Sequence, residues 1–444
     1  MRTNSRIDPT FVVELLLLLI AAPLLYFPDR LPSWAPVAGF VVLAAGWLYR
    51  RYRLGVWHNA TPADLPLLFL FVVMLPIALW AAPAPLREQY SIPRTYILLW
   101  SLCLFAVIVS HGSRSRSNAE WALGGFALGA LLIALVAPLG IAWLHKLPGL
   151  RTIVSAIPSP LMGVFSGAES GFHPNQVAGT LLYAFPLLAA ISVADVMRRR
   201  RTLASPLVSW LVWIATPIVG IVLILTQSRS ALLGLAVAVV VMVLINLRWG
   251  RWLLVSSVVV LLVALPFVPA TWVDIIGGAP PAEALGGVST LGFRQDVWTQ
   301  AYTALHDFPF TGMGFGTFRE ILFLLYPTRI SPSYNVGHAH NFFLQTGLDF
   351  GLPGLIAVIA VHLVALAVIA KMLFADAHGE QPAGMRVLAL GLLGSMVAHL
   401  VYSQLDAVAM GAKTNFVLWY YLALVFALGN LAAQKTEVVS WRQR

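Results

Sequence analysis

The chain contains repeated apolar runs of about 20 residues, and these runs constrain its fold more than any other feature. A helix needs about 20 predominantly apolar residues to cross the hydrocarbon core of a bilayer. Hydrophobic residues make up 59% of the 444 residues and charged residues only 10%, which excludes an ordinary soluble domain. The sequence therefore predicts an all-α polytopic membrane protein with about 12 transmembrane helices. The predicted spans are 11–27, 33–49, 64–81, 92–110, 119–143, 176–194, 206–226, 230–247, 252–269, 351–374, 386–405 and 415–432.

The first predicted span, 11–27, has a length that signal peptides also have. No small-residue cleavage site follows it, and Pro28, Asp29 and Arg30 lead directly into the next apolar run. We therefore expect this segment to remain in the protein as a helix.

The lysines and arginines between the spans predict the orientation, because basic residues beside a span are retained on the cytoplasmic side. With the N-terminus inside, the cytoplasmic segments hold 18 of the 28 basic residues, although the outside segments are longer in total. Both termini are therefore predicted to be cytoplasmic. The net charge of +10 and the run from Arg198 to Arg201 follow from this topology, so neither indicates a nucleic-acid partner.

One long segment of mixed polarity, 271–341, interrupts the apolar pattern between the ninth and tenth spans. We treat it as a lobe inserted into a single domain that covers 1–444. The predicted topology places it outside, in the periplasm of a Gram-negative cell, which excludes chemistry driven by ATP. Loops that only connect helices are usually short, so a long one is expected to carry function. It contains a predicted amphipathic helix on the membrane face, with apolar residues four apart at Phe293, Val297, Ala301 and Leu305.

Two arginines on the outside oppose the topological bias. Arg229 lies in a short turn between two spans, at the outer membrane boundary. Its guanidinium either extends to lipid headgroups or points into the protein to hold an anion. Arg294 lies in the first turn of the amphipathic helix, where backbone N–H groups and a guanidinium together suit a phosphate. The alternative for Arg294 is an ion pair with Asp296.

Glycines alternate with other residues in the segment 307–318, which gives it some likeness to a nucleotide-binding loop. A proline and not a hydrophobic strand precedes these glycines, and the segment is predicted to lie on the wrong side of the membrane for a dinucleotide. We therefore predict a tight turn in which the backbone approaches other backbone or a ligand.

His338 and His340 precede Asn341, which is a suitable N-cap for a short helix that ends at Phe350 before the turn 351–354. The positive end of the helix dipole favours the neutral imidazole, the form that accepts a proton. Two histidines at this spacing can also bind a metal, but no further ligands stand at a familiar spacing nearby, so no metal is predicted. One of the two histidines is expected to be a general base, and the other can be structural.

Ionisable residues lie at the end of the eleventh predicted span. His399, Ser403 and Asp406 are predicted to share one helix face, and Lys413 follows on the outside. Ionisable groups within a membrane are costly, so they indicate a functional site or a satisfied contact between helices. For Asp406 and Lys413 both interpretations stay open, whereas His362 in the tenth span is interpreted as a helix contact.

Several short motifs occur in order between Phe172 and Trp419. They are His173-Pro174-Asn175-Gln176, Gln227-Ser228-Arg229-Ser230-Ala231, Phe293-Arg294 with Trp298, Pro309-Phe310-Thr311-Gly312-Met313-Gly314, His338-Ala339-His340-Asn341 and Gly351-Leu352-Pro353-Gly354. This set resembles the O-antigen ligase and polymerase superfamily of bacterial membrane glycosyltransferases. The resemblance implies an inner-membrane enzyme, surrounded by membrane lipid, that takes a glycan from undecaprenyl diphosphate. It would transfer the glycan on the periplasmic face to the lipid A core of lipopolysaccharide.

The resemblance also implies roles for individual residues. Arg229 and Arg294 would neutralise the diphosphate leaving group, and His340, in preference to His338, would accept the proton of the acceptor hydroxyl. A glycosyl diphosphate is already activated and the lobe contains no Asp-x-Asp pair, so a reaction without a metal or other cofactor is expected. The resemblance implies inversion at the anomeric carbon. The residues predicted to bind substrate are His173, Asn175, Gln176, Ser228, Asn341, Asp406 and Lys413.

Other functions remain as alternatives. A polymerase of O-antigen or exopolysaccharide repeat units would use the same carrier and the same residue types. Members that act on proteins would be expected to carry a soluble C-terminal region, whereas about a dozen residues follow the last predicted span here. A multi-pass lipid or glycan transporter would predict internal repeats, and we find none. A glycan receptor would need no arginine pair beside the membrane.

Overall fold

The computed structural model contains α-helices and no β-strand in the residues that it describes, apart from one isolated bridge between Ile141 and Phe172. The all-α prediction is therefore confirmed for this part of the chain. The described residues are 7–143, 148–164, 171–199, 201–247, 249–250, 252–254, 256–257, 291–326, 336–375 and 383–442.

We label the helices in chain order, and α3 and α4 each contain a stretch of π-helix. They are α1 Pro9–Tyr26, α2 Ala35–Leu54, α3 Asp64–Ala81, α4 Ala84–Gly112, α5 Arg116–Val136, α6 Arg151–Ser155, α7 Pro174–Leu181, α8 Phe185–Arg198, α9 Pro206–Leu225, α10 Arg229–Leu244, α11 Leu291–Asp307, α12 Phe318–Leu325, α13 Phe342–Phe374, α14 Ala383–Tyr402 and α15 Phe416–Arg442.

Eight helices within the described ranges are long and apolar enough to cross a membrane, or nine if the bent pair α7 and α8 is one span. The eight are α1, α3, α4, α5, α9, α13, α14 and α15. The predicted count of about twelve is therefore not confirmed. α2 carries Arg51 and Arg53 in its last turn, α10 has only 16 residues, and most of the predicted span 252–269 lies outside the described residues.

The helices pack through small residues as well as through large apolar ones. α10 packs on α14, α8 also packs on α14, and α15 packs on α4. At the crossing of α10 with α14, a Cβ on Gly234 would lie 2.6 Å from the carbonyl oxygen of Ala398. Small residues let backbones approach closely, which is how helices without a hydrophobic driving force associate in lipid.

A buried ion cluster joins α1, α2 and α4. Arg50 Nε donates to Glu14 Oε2 at 2.7 Å, and His111 Nε2 lies 3.0 Å from Glu14 Oε1. The side chains of Arg50 and Glu14 are only 2% and 1% exposed, so each depends on the other to compensate its charge. Phe11 stacks on the ring of His111 and closes the cluster.

α13 is interrupted at Gly351, where φ is 70° and ψ is 179°. The helix therefore has a short first part that ends at Phe350, as predicted. The glycine turn lies against this break: Leu352 N donates to Pro309 O and Met313 N donates to Leu348 O, each at 2.7 Å. The prediction of a tight turn is confirmed, because the glycines 312, 314 and 316 have positive φ and lie against backbone or side-chain atoms of other segments.

α11 is the predicted amphipathic helix, and its apolar face is buried as expected. That face packs against α12 and α13 in a small separate core, and the position of the helix on the membrane face stays a prediction. The core buries it because α12 and the start of α13 offer apolar side chains directly. Of the lobe predicted for 271–341, the structure describes 291–326 and 336–341, and the rest lies outside the described residues.

α14 ends at Tyr402, so Ser403 and Asp406 follow the helix and do not extend its face as predicted. The chain leaves the helix because its backbone has other partners here. Ser403 O accepts a hydrogen bond from Phe342 N at 2.9 Å, and Gln404 O accepts one from Asn341 Nδ2 at 3.4 Å. These bonds join the end of α14 to the start of α13 and bring Asp406 beside the histidines.

Candidate functional site

Asp406 lies at the centre of a group of polar side chains that come from four separate parts of the chain. Its Oδ2 accepts a hydrogen bond from Asn175 Nδ2 at 2.6 Å and lies 4.0 Å from Arg294 Nη2. Its Oδ1 lies 3.4 Å from His340 Nδ1 and 3.7 Å from His338 Nε2. We call these five residues the Asp406 cluster.

The Asp406 carboxylate is fully buried, yet it is ionised. Burial by itself raises the pKa of a carboxyl group. The interaction with His340 and the charges of His340, His338 and His173 outweigh burial and hold the pKa of Asp406 well below its usual range. The cluster therefore contains a fixed negative charge at neutral pH.

In His338 one ring nitrogen accepts a hydrogen bond and the other faces Asp406. Its Nδ1 accepts a hydrogen bond from the backbone N–H of His340 at 3.1 Å, so the proton of the neutral ring lies on Nε2, which faces Asp406. Burial, followed by the like charge of His340, lowers the pKa of His338 to about 3. The ring is consequently neutral at physiological pH, and it has no free lone pair for a substrate proton.

His340 has a different arrangement. Its backbone φ is 48°, a left-handed value that costs energy for a residue other than glycine and often marks a functional position. Its Nδ1 faces Asp406, and its ring packs edge to face against Phe293 with 5.6 Å between ring centroids. When Nδ1 carries the proton, Nε2 is the nitrogen with a lone pair available.

The loop that carries the two histidines is fixed at Ala339, whose backbone N–H and C=O both bond to side chains from other positions. Ala339 N donates to Gln345 Oε1 at 2.9 Å, and Trp298 Nε1 donates to Ala339 O at 2.9 Å. Gln345 Nε2 in turn donates to Asp349 Oδ1 at 3.1 Å, which also accepts from Gly316 N at 3.0 Å. Sequence reasoning missed Gln345 and Asp349, although their i, i+4 spacing on a short helix was a usable signal.

Asn341 caps α13 as predicted. Its side-chain oxygen accepts a hydrogen bond from Leu344 N at 3.0 Å. The cap satisfies one of the backbone N–H groups that the first turn of a helix leaves unbonded. The short first part of α13 is thereby anchored directly behind the histidines.

Arg294 and Arg229 lie close enough for their charges to repel each other. Burial lowers the pKa of Arg294 from its usual value. The charge of Asp406 opposes this shift, and the like charge of Arg229 adds to it. Arg229 is exposed and is the first residue of α10, directly after Ser228, so it lies within a helix and not in the predicted turn. Two neighbouring guanidiniums, one of them partly buried, suit an anionic ligand.

The remaining predicted residues have different surroundings. His173 is exposed before α7 and acts electrostatically on Asp406 and His338, and Gln176 N donates to His173 O at 3.0 Å. Ser228 is buried with its Oγ 3.2 Å from Ser230 Oγ. The Lys413 ammonium lies 4.7 Å from the centroid of the Phe27 ring.

His399 belongs to a second buried group. Its Nδ1 lies 2.8 Å from the hydroxyl of Tyr183 and 3.1 Å from Ser403 Oγ, and its Nε2 lies 3.3 Å from His362 Nε2. The prediction that His362 makes a helix contact is therefore confirmed, because α13 meets α14 there.

The geometry also fits a divalent cation. His338, His340 and Asp406 each offer one ligand atom, and these atoms lie within 4.8 Å of one another. Two imidazoles and a carboxylate are a common donor set for zinc and other transition metals. The expectation of no metal rested on the lack of a third ligand nearby in the sequence, and the fold brings Asp406 to that position from a distant segment.

Part of the chain matches a model of a known protein family. Residues 214–359 match the family described as O-antigen ligase. The matched region covers Arg229, Arg294 and both histidines of the Asp406 cluster, whereas Asn175 and Asp406 lie on either side of it. No curated protein matches the chain.

Proposed function

From the O-antigen ligase family, which the match over residues 214–359 supports, we propose that this chain is an O-antigen ligase. It transfers a glycan from undecaprenyl diphosphate to the lipid A core of lipopolysaccharide, on the periplasmic face of the inner membrane. The Asp406 cluster carries the proposal, because it combines cationic groups for a diphosphate with a histidine that a carboxylate supports. The eight candidate spans agree with a substrate that is carried by a membrane lipid.

The arginine pair is suited to the leaving group. A lipid diphosphate gains negative charge as the bond between its oxygen and the anomeric carbon breaks. Arg294 is held 4.0 Å from Asp406 and interacts with the charge of Arg229, so both guanidiniums can face the same anion. Donors already in place stabilise such charge without reorganising during the reaction.

His340 is suited to act as the general base. The acceptor oxygen forms a bond to the anomeric carbon, the bond from that carbon to the diphosphate oxygen breaks, and the hydroxyl proton moves to His340 Nε2. Asp406 Oδ1, 3.4 Å from Nδ1, stabilises the imidazolium that forms. This distance exceeds an optimal hydrogen bond, and such contacts often shorten when substrate is bound. His338 is unsuited to this role because its Nδ1 lone pair accepts the His340 N–H, which leaves the proton of the neutral ring on Nε2.

Inversion without a metal is the mechanism that these contacts favour. A retaining reaction by double displacement needs a carboxylate nucleophile. Asp406 is fully buried and engaged by Asn175, so it is a poor nucleophile. The negative charge of Asp406 is also compensated by the charge of Arg294 and by the hydrogen-bond donors around the carboxylate. The carboxylate therefore does not need a bound cation for this purpose.

The site assignment is tested with purified variants and a glycan-loaded carrier. We expect His340→Ala, Arg294→Ala and Arg229→Ala to insert normally and to lose most transfer activity, while His338→Gln retains more activity than His340→Ala. His306→Ala is the matched control, because that side chain is 91% exposed and belongs to α11. Wild-type rates in all three alanine variants would show the assignment to be wrong.

The metal question has its own experiment. The wild-type enzyme is assayed after exhaustive treatment with a chelator. Full activity supports the metal-free mechanism. Inhibition that one divalent ion restores would instead support a metal site at His338, His340 and Asp406.

A lipopolysaccharide gel of a deletion strain distinguishes a ligase from a polymerase, which is the second candidate because the family match does not separate the two. Loss of a ligase leaves undecorated lipid A core, with polymerised glycan still on its carrier. Loss of a polymerase leaves single repeat units on the core.

A further inference from the structure

A second pair of arginines lies beside the histidines. Arg94 belongs to α4 and Arg319 to the first turn of α12. Arg94 is near enough to act on the charge of His338. Arg319 Nη2 is 3.1 Å from the point that a Cβ on Gly337 would occupy, and Gly337 directly precedes His338. Both guanidiniums therefore border the histidine loop.

The fold holds the Arg94 side chain in place with two glycine turns. A Cβ on Gly316 would lie 2.6 Å from Arg94 Cδ, and a Cβ on Gly411 would lie 2.8 Å from Arg94 Cβ. Both glycines have positive φ, 74° and 71°, so the backbone approaches the arginine from two sides. Arg94 is consequently a confined, partly buried side chain and not a mobile surface arginine.

Neither guanidinium has a hydrogen-bond or ion-pair partner among the residues that the structure describes. The charge of Arg319 repels that of Arg94, and Asp349 attracts Arg94 only from beyond ion-pair distance while accepting from Gln345 and Gly316. Glu320, next to Arg319 in the chain, lies close enough to Tyr90 to raise the pKa of that phenol, after burial, which raises it most.

An arginine offers five donors, and an anion that lies between two like charges stabilises both, most of all the partly buried Arg94. A phosphate monoester matches such a pair well, because it carries about two negative charges at neutral pH.

We propose that Arg94 and Arg319 form a second anion site, which binds a phosphate group of the acceptor glycan beside the histidine loop. This inference rests on the proposed function. The site is distinct from the first arginine pair, since Arg294 lies 4.0 Å from Asp406, whereas Arg94 packs between Gly316 and Gly411. The acceptor is the expected ligand there because its hydroxyl must reach the base in the same loop.

The experiment uses the full-length enzyme in lipid nanodiscs, the undecaprenyl-linked donor, and one core acceptor with and without its phosphate groups. The variants are Arg94→Lys and Arg319→Ala. Arg319 is exposed, so its replacement leaves the fold intact. Arg87→Ala is the control, because it also removes an arginine from α4 but from a side chain that donates to Leu79 O.

We expect each variant to raise the KM for the phosphorylated acceptor about tenfold or more, the loss of one charge-assisted hydrogen bond. The kcat and the KM for the donor should change less than threefold, and with the dephosphorylated acceptor the variants and the wild type should agree. An unchanged KM for the phosphorylated acceptor would overturn the inference. An equal rise in the KM for both forms of the acceptor would also overturn it and would indicate a structural role. A raised KM for the donor alone would overturn it by assigning the anion to the carrier.

Binding of the phosphorylated acceptor without donor separates this inference from the proposed function. If the wild type performs no transfer but binds the phosphorylated acceptor more tightly than both arginine variants do, the ligase proposal is rejected and the anion site is retained. If the wild type transfers glycan but neither variant binds the acceptor more weakly, the anion site is rejected and the ligase proposal is retained.

Discussion

Replacing Asp406 with asparagine removes the negative charge of the Asp406 cluster and keeps the shape of the side chain. The amide can still accept a hydrogen bond from Asn175, whose Nδ2 lies 2.6 Å from Oδ2. We therefore expect the protein to fold. What the variant loses is the charge 3.4 Å from His340 Nδ1, which matters once that ring has taken up a proton.

The size of the effect follows from that distance. Two unit charges 3.4 Å apart attract by about 5 kcal/mol at an effective dielectric constant of about 20. If all of this attraction is lost in the transition state, transfer slows by about 10³- to 10⁴-fold, and if half of it is lost, by about 10²-fold. Since Arg294 keeps its charge, donor binding should change much less than kcat.

The assay is single-turnover transfer at saturating donor, together with a thermal unfolding curve in the same detergent. Asp307→Asn is the matched control, because it makes the same substitution at a carboxylate that ends α11 and is 49% exposed. A folded Asp406→Asn protein that transfers glycan within threefold of the wild-type rate would refute the role of Asp406 in supporting His340.

Three further predictions concern stability. Burial lowers the pKa of His338 from 6.5 to about 3, so the unfolded chain takes up this proton first as the pH falls. As the pH falls from 6.5 to 4.5, the unfolding free energy of the wild type should decrease more steeply than that of His338→Gln, by up to about 1.4 kcal/mol per pH unit. Equal slopes of the two curves of unfolding free energy against pH would contradict this. Arg50→Ala should cost about 3–5 kcal/mol because Glu14 stays buried without its partner, whereas the double variant Glu14→Leu/Arg50→Met should recover most of that loss in chemical denaturation. Gly179→Ala should lower the melting temperature, because the added methyl would collide with the Tyr402 ring.

The sequence predicted the residue types of the site better than their roles. Arg229, Arg294, His338 and His340 stood out because charged and polar groups are rare in an apolar chain. The family resemblance favoured His340 over His338, but the sequence contained no information about the surroundings of either ring. They differ because the backbone N–H of His340 bonds to His338 Nδ1.

The sequence also overestimated some helices. The apolar run at 386–405 continues past Tyr402, but the helix ends there because Ser403 O and Gln404 O have partners on the segment 341–342. Those partners are distant in the chain, and hydropathy contains no information about them.

Arg94 shows the same limit. In the sequence it is one basic residue at the start of a predicted span. It lies beside the histidines only because the glycine turns around Gly316 and Gly411 pack against it.

By itself the sequence determined the helical membrane class, the cap at Asn341, the break at Gly351 and the glycine turn after Pro309. These features follow from local rules, since hydropathy, caps and backbone freedom depend on neighbouring residues. Only the tertiary structure decided that Asp406 lies beside His340 and that Arg94 borders the same loop. Such contacts join residues far apart in the chain, and helix packing alone brings them together.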